Sequence, residues 1–340
     1  MLKDISLSEF QATQEAYRFV LDVRSPHEYA LSHIPGAINV PVFSDEEHER
    51  IGTLYKHSPF EARIFGASLI CKNVAKELLE LKEWLHPAHK ILIYCARGGQ
   101  RSLSLSLILS SIGYQIYRLI GGYKLYRSHV ANALTLPREE RFLTLVAPTG
   151  SGKSELIEGI NWGLDIEGIA SHMGSSFGDI KGGQPSVKMF QNLLFERLRA
   201  LRHEPLIATE AESKRLGNLI LPAPLYECYK NAPKVFIASS LEARIKRTFE
   251  SYATITPMFF QNAMQKIARY MKKEAWEEAY RSFEAGDLMK CAEILLVEYY
   301  DKVYKLEPCD YTIHYKDKAQ AIRELEEIKE QVQKLHSQRA

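Results

Sequence analysis

Ala147-Pro148-Thr149-Gly150-Ser151-Gly152-Lys153-Ser154 follows the apolar run Phe142-Leu143-Thr144-Leu145-Val146 and opens a stretch with helical character. A strand that ends in a glycine-rich loop and passes into a helix is the setting a phosphate-binding loop requires. The glycines let backbone N–H groups wrap an anion, Lys153 adds a point charge, and the Ser154 hydroxyl lies within reach of a Mg²⁺ ion. Ala147 stands where the motif usually has its first glycine. ATP is the plain expectation for such a loop, and any diphosphate fits the same physics. A carboxylate at the end of a neighbouring strand would organise metal and water. Glu210, after the strand candidate Leu206–Thr209, is the first candidate and Glu212 the second, against the plainer reading of a solvated loop glutamate.

Working outward, a further strand is expected at Lys234–Ala238, and the chain from Leu241 onward reads as helical. Its tail spaces Ile322, Leu325, Ile328, Val332 and Leu335 by three or four residues, as an amphipathic helix does. Upstream, Leu134 to Glu140 holds a proline and a charge cluster, which sets a domain boundary between residues 133 and 134. The first part has strand candidates at Phe19–Val23, Lys90–Cys95 and Gln115–Ile120. Val74, Leu78, Leu81 and Leu85 place a helix over 71–85, and a second helix is expected from Ser102 to about Ile112. Strands alternating with helices imply a parallel sheet covered on both faces. Residues 42–70 show no clear pattern.

The chain has 340 residues, which at roughly 150 residues per domain suggests two domains. Its 46% apolar and 25% charged residues are those of a globular protein, not a disordered or collagenous one. No apolar run approaches the ~18 residues of a membrane-spanning helix. The start, Met1-Leu2-Lys3-Asp4-Ile5-Ser6, does not read as a secretory signal, so a cytoplasmic location is expected. A formal net charge of +2 excludes a globally basic nucleic-acid binder, so any such site must be a local patch. The five cysteines are odd in number and contain no C-x-x-C pair, against both a disulfide framework and a cysteine-rich zinc site.

One cysteine stands apart. Cys95-Ala96-Arg97-Gly98-Gly99-Gln100-Arg101-Ser102 leaves a strand and loops into a helix. Converging N–H groups, a helix N-terminus and two arginines favour a thiolate over a thiol and can receive an incoming anion. The other four, Cys71, Cys228, Cys291 and Cys309, are expected to be inert core residues.

Asp22-Val23-Arg24-Ser25-Pro26-His27-Glu28-Tyr29, His33-Ile34-Pro35-Gly36-Ala37-Ile38-Asn39-Val40-Pro41 and Gly113-Tyr114 through Gly122 resemble the rhodanese (sulfurtransferase) domain over about residues 5–130. The chain departs from that family at Ser32, usually glycine, and in a longer segment between Pro41 and Cys95. Cys95 and Arg101 also form the C-x5-R spacing of cysteine-dependent phosphatases, so phosphatase and chalcogen transfer both stay open on this loop. The fusion to a phosphate-binding loop, with Asp165 through Gly178, Glu210-Ala211-Glu212-Ser213 and Glu298-Tyr299-Tyr300-Asp301, resembles the tRNA 2-selenouridine synthase family over about residues 5–305.

That resemblance implies an α/β protein with an N-terminal rhodanese-like parallel-sheet domain, residues 1–133. A P-loop NTPase-like α/β domain with a helical C-terminal extension, residues 134–340, follows it. It implies an enzyme that converts 2-thiouridine at the wobble position of tRNA to 2-selenouridine in two steps. The sulfur is first alkylated by geranyl diphosphate; selenium from selenophosphate then displaces the S-geranyl group through an S-selanylcysteine on Cys95. Arg97, Gly98, Gly99, Gln100, Arg101 and Ser102 would hold selenophosphate, and Gly150, Ser151, Gly152, Lys153 and Ser154 the diphosphate. His172, Ser175 and Ser176 would complete the second site with Glu210 and Glu212; for His172 a structural turn is the competing reading. No tightly bound cofactor is expected, and Mg²⁺ at the P-loop stays open. The expected partners are tRNA and a selenophosphate-supplying enzyme, with the chain a monomer.

For the tRNA, Arg244, Arg247, Lys266, Arg269, Lys272 and Lys273 form a basic stretch interleaved with Tyr252, Phe259, Phe260, Tyr270 and Trp276. Phosphate contacts with aromatic stacking suit an unpaired anticodon loop. The competing reading is a solvated helix face with core aromatics behind it. Three rival functions remain: a cysteine-dependent phosphatase, a plain sulfurtransferase with a nucleotide-binding regulatory domain, and a nonenzymatic tRNA-binding scaffold.

Overall fold

The computed structural model describes residues 1–179, 182–252, 254–303 and 307–337. It divides into two compact units, Met1–Ala133 with Ser186–Phe195, and Leu134–Pro185 with Glu196–Ala340.

The first unit runs β1 (Leu2–Ile5), α1 (Leu7–Thr13), β2 (Phe19–Asp22), α2 (Pro26–Leu31), β3 (Ile38–Asn39), α3 (Asp45–His57), α4 (Pro59–Leu81), β4 (Lys90–Tyr94), α5 (Gln100–Ser111), β5 (Gln115–Leu119) and α6 (Gly122–Ala133). Its sheet has the order β1-β5-β4-β2-β3, every pair parallel. Parallel strands are covered on both faces, which is why Ile91–Tyr94 of β4 reads as one buried apolar run. Leu21, Ile91, Ile93, Leu105 and Leu109 are fully buried together in the core. The segment 42–70 that showed no pattern forms most of two helices. Ser44 and Glu47 start α3 with a reciprocal capping box, and Pro59 opens α4. The helix expected over 71–85 thus starts twelve residues earlier and ends at Leu81. The unit also takes in residues 186–195, beyond the boundary read from the sequence. There Ser186 Oγ donates to the Leu31 carbonyl at 2.6 Å, and Asn192 Nδ2 to that of His33 at 2.8 Å.

The second unit contains β6 (Phe142–Val146), α7 (Lys153–Glu158), β7 (Gly163–Leu164), α8 (Ile166–Ala170), the end of α9 (Val187–Ala200) and all the described chain after it, with a five-stranded parallel sheet. The remaining elements are β8 (Ile207–Glu210), the hairpin β9 (Arg215–Leu216) and β10 (Leu219–Ile220), α10 (Ala223–Lys230), β11 (Lys234–Ala238), α11 (Leu241–Tyr252), α12 (Pro257–Ile267), α13 (Lys273–Glu284), α14 (Leu288–Leu295), α15 (Asp301–Val303), β12 (Tyr311–His314) and α16 (Lys318–Ser337). The sheet order is β12-β11-β6-β8-β7. β6, buried at every residue, lies at the centre, so the loop that leaves it opens where crossovers depart to both sides, the usual ligand crevice of such sheets. The chain after Leu241 is helical except for β12, which pairs in parallel with β11. Only Ile313 of that strand is fully buried, so its pattern carries no strand signal. The helical extension has its own core around Phe260, Met264, Ile267 and Cys291. Among the described residues no helix is long and apolar enough to cross a membrane.

Gly122 shows how tightly the first unit is fitted at its sheet edge. Its φ is +54°, and a Cβ there would lie 2.2 Å from the Cys95 carbonyl oxygen. Gly122→Ala is expected to lower stability by about 2 kcal/mol, the scale of one left-handed backbone strain. Gly52→Ala, in open space on α3, should raise it by roughly 0.5–1 kcal/mol. Thermal unfolding of both variants checks this; an unchanged Gly122→Ala melting curve would exclude the close approach.

Candidate functional site

β4 delivers Cys95 to the carboxyl edge of the first sheet, between β5 and β2. The loop that follows is held from behind: the N–H groups of Tyr123 and Lys124, in the first turn of α6, donate to the carbonyls of Cys95 and Ala96 at 2.9 Å each. Gly99 N–H donates to Cys95 Sγ at 3.2 Å, and Ser102 Oγ lies 3.2 Å from the same sulfur. Cys95 is only 3% exposed, so the thiol forms the floor of its loop. Gly98 packs against the β5–α6 turn, where a Cβ would lie 2.8 Å from the Leu119 carbonyl oxygen. Gln100 and Arg97 are exposed.

Arg101 does not offer a free fork to an anion. Its guanidinium bonds Glu28 of α2 at 2.5 Å, and His48 of α3 stands 3.6 Å from the same carboxylate. Burial alone would raise the Glu28 pKa, but the Arg101 bond and charge outweigh it and hold the carboxyl below its ordinary value. Arg97 is therefore the loop cation without an ion pair among the described residues. Of the other cysteines, Cys291 is in the core, with its thiol pushed up to about 12 by burial. Cys71 is exposed on α4, and Cys228 and Cys309 are half-buried, so the expectation of four core thiols holds for one of them.

In the second unit the loop between β6 and α7 turns at Gly150 and Gly152, with φ of +78° and +91°. A Cβ on Gly152 would fall 2.3 Å from Tyr315 Cε1. Lys153 Nζ donates to the Ala147 carbonyl at 3.0 Å, and Ser154 Oγ donates to Glu167 at 3.0 Å. The loop borders a cleft of about 830 Å³ that also takes in Ser175, Ser176, Glu167 and Glu212, a volume within the range of ligand pockets. Ser175 and Ser176 lie 3.4 and 3.1 Å from the hydroxyls of Tyr252 and Tyr299, and Phe177 inserts into the core of the helical extension. A π-helical turn at Leu296–Tyr300 presents Tyr299 and Tyr300 to the cleft.

Three carboxyls gather behind the loop. Glu210 ends β8 fully buried, neither solvated nor in the cleft, and burial holds its pKa well above the ordinary value. Glu167, on the short helix α8, is pushed up to about 8 by burial and then by the charge of Glu212. The Ser154 hydroxyl with Glu167 and Glu212 is a set of oxygen donors suited to Mg²⁺, which takes one or two carboxylates plus ligand phosphates. Among the described residues no group of three or more His, Cys, Asp or Glu side chains is placed to hold a metal ion, so phosphate oxygens would have to complete the shell. His172 is a turn residue. It is walled in by Gly178 and Gly217, accepts from Gly174 N–H at 3.2 Å, and is kept toward its neutral form by burial. Sequence reasoning missed Glu167. Its signal was the Asp165 cap, which places a carboxylate in the first turn of α8.

The basic stretch divides. Arg244 is buried, donating to the Thr149 carbonyl at 2.9 Å and pairing with Asp301 at 2.6 Å. Arg247 lies over the Tyr315 ring at 4.1 Å and bonds Ser239 at 2.9 Å. Both brace the P-loop and so leave the expected tRNA surface. Lys266, Arg269, Lys272 and Lys273 stay exposed on α12, α13 and the turn between them. Of the aromatics, Phe260 stacks on Phe283 at 3.8 Å and Trp276 donates to the Met264 carbonyl. They are core, with Tyr270 the one that is largely exposed among the five named.

Residues 6–129 match the family described as the rhodanese-like domain, and residues 140–270 match the tRNA 2-selenouridine synthase AAA domain. The tRNA 2-selenouridine synthase of Nitrosomonas europaea is 34% identical over 267 residues, covering 75% of this chain and 69% of that one. That of Pseudomonas fluorescens is 30% identical over 319 residues, covering 84% and 88%. Among solved structures, the N-terminal domain of a Clostridium difficile protein described as ATP/GTP binding is 37% identical. It covers 38% of this chain and 98% of that one, with a TM-score of 0.34.

The raised Glu167 carboxyl has a consequence for stability. Its folded pKa of about 8 lies above its ordinary 4.5, so the native state holds a proton that the unfolded chain has released. Stability from this group is therefore lost as pH rises from about 5 through 8. Glu167→Gln should gain stability over wild type at pH 8 and little at pH 5. Urea midpoints at the two pH values, without divalent cations, would show parallel behaviour if the carboxyl were not buried and crowded.

Proposed function

The chain belongs to the tRNA 2-selenouridine synthase family and is an enzyme, and we propose that it exchanges sulfur for selenium at the wobble uridine of tRNA in two reactions, one per anion cradle. The observation that carries this reading is the pairing of a cysteine loop and a P-loop, each at the carboxyl edge of its own parallel sheet. In the first reaction the uridine sulfur attacks C1 of geranyl diphosphate. The S–C bond forms, the C–O bond breaks, and diphosphate departs with the electron pair toward Gly150, Gly152, Lys153 and Ser154. The proton on the base is lost to solvent. Mg²⁺, when bound, would supply positive charge to the leaving diphosphate, with Ser154, Glu167 and Glu212 as its protein donors.

The second reaction must conserve electrons. Thiolate sulfur and the selenium of selenophosphate are both at −2, so an S-selanylcysteine on Cys95 requires a two-electron acceptor. A redox-neutral route has Cys95 attack phosphorus instead. The S–P bond forms, the Se–P bond breaks, and selenide leaves to displace the geranyl thiolate at C2. Water then frees phosphate from Cys95. The N–H groups of a loop shaped like this one suit a phosphoryl group, and Arg97 is the cation in reach of solvent. Mass spectrometry of Cys95 after selenophosphate treatment separates the routes, since one adds selenium and the other a phosphoryl group.

The two reactions should be lost independently. Cys95→Ser is expected to accumulate S-geranyl-2-thiouridine when given 2-thiouridine tRNA, geranyl diphosphate and selenophosphate. Lys153→Ala should slow geranylation on the order of 10²-fold, as loss of one electrostatic group does, yet still install selenium in tRNA that is already geranylated. Nucleoside profiles check both; failure of Cys95→Ser to geranylate while folded and bound to tRNA would show that the cradles do not act separately.

For tRNA the remaining basic candidates are Lys266, Arg269, Lys272 and Lys273. Reversing Arg269 and Lys272 to glutamate should weaken tRNA binding and flatten its salt dependence. Unchanged affinity in filter binding would remove this face from the proposal.

A further inference from the structure

Beside the P-loop cleft the helical extension encloses a second, apolar cavity of about 40 Å³, with Phe177, Phe260, Phe283, Leu288, Cys291 and Ala292 in its wall. Cleft and cavity share Thr248, Tyr252 and Tyr300. Thr248 is 9% exposed, and its Oγ1 has no hydrogen-bond partner among the described residues. A Cβ on Gly150 would lie 2.7 Å from that oxygen, so the hydroxyl abuts the backbone of the P-loop. Ser151 Oγ, in the loop itself, is also buried without a partner. Buried hydroxyls are normally satisfied, and two unsatisfied ones on the diphosphate cradle mark where a polar ligand atom belongs. An apolar cavity opens behind one of them. Together they describe an amphiphile, with an anionic head on the loop and a hydrocarbon end behind Thr248.

We infer that this cavity measures the hydrocarbon chain of the diphosphate substrate, with Thr248 bonding the ester end of the diphosphate and Phe283, Leu288 and Cys291 stopping the far end of the chain. The inference rests on the reading of the P-loop as a prenyl diphosphate site. At roughly 10–15 Å³ of such volume per water, the cavity holds about three waters, enough for the last few carbons of a chain and not for an added five-carbon unit. A chain one unit shorter would leave the cavity unfilled. A chain one unit longer would press on the Phe260–Phe283 stack. The wall carries few polar atoms to hold water, so filling it with hydrocarbon removes apolar surface from solvent.

The test uses the full chain, 2-thiouridine tRNA and prenyl diphosphates of five, ten and fifteen carbons, compared by kcat/KM. Wild type should prefer ten carbons by on the order of 10²-fold over five, from the methylenes buried. Phe283→Leu and Phe283→Ala should shift the ratio of fifteen to ten carbons upward by about tenfold or more. Ala292→Leu, which fills the cavity, should lower the rate with ten carbons by about tenfold and leave that with five unchanged. Thr248→Val keeps the shape and should raise KM for all three chains without altering their ratios. Melting curves identify which variants are folded. Unaltered chain-length ratios in folded Phe283→Leu and Ala292→Leu would overturn the inference while leaving the P-loop reading intact. Wild type that alkylates tRNA with none of the three would instead overturn that reading.

Discussion

A parallel strand that passes its chain to a helix at the sheet's carboxyl edge leaves backbone N–H groups pointing outward with no partner in the ladder. Both sites in this chain are built on that constraint, at the central strand of each sheet. What occupies the N–H groups differs. In the first unit one of them already meets a sulfur, Gly99 N–H to Cys95 Sγ, so the loop is shaped around its own cysteine. In the second, Gly150 and Gly152 curve the loop around space, and the lysine folds back onto its own backbone. One loop is occupied by its own side chain, and the other borders an open cleft.

The surroundings of the two cradles differ in how their carboxyls are held. Around Cys95 the acidic partner is Glu28, and Arg101 and His48 answer it. Behind the P-loop three glutamates crowd together, and the Glu210 and Glu167 carboxyls are held toward their neutral forms by burial. An anion arriving there needs either those protons or a cation between it and the carboxylates. Arg244 and Arg247 stabilise the loop from the far wall, with their charges already engaged by Asp301 and by Tyr315.

Where a residue type has one physical role, the sequence was readable. The β6 run, the glycines of the P-loop and the strand ending in Cys95 are local patterns with local causes. What escaped reading depended on tertiary partners. β12 has one fully buried residue and exists because β11 offers an edge. Arg244 and Arg247 look like surface cations in a helix-period pattern, and only packing against Thr149 and Tyr315 withdraws them from solvent. Arg101 fits an anion-binding spacing, yet a glutamate 73 residues earlier claims its guanidinium. The aromatics from Phe259 to Trp276 carry the same spacing whether they stack on bases or on each other. Glu167 was hidden because a carboxylate next to a capped turn is ordinary until Ser154 is found beside it.

The order in which the chain is made sets when each sheet can close. The strands of the first unit leave the ribosome well before residues 186–195, whose Ser186 and Asn192 bond Leu31 and His33. The second sheet waits longer, because β12 pairs with β11 from about 75 residues further along the chain. During synthesis at roughly 5–20 residues per second, β11 stays an open edge for several seconds, and such edges invite pairing with other chains. The nascent chain therefore has a window, closed only once Tyr311–His314 are made, in which β11 offers an unpaired edge.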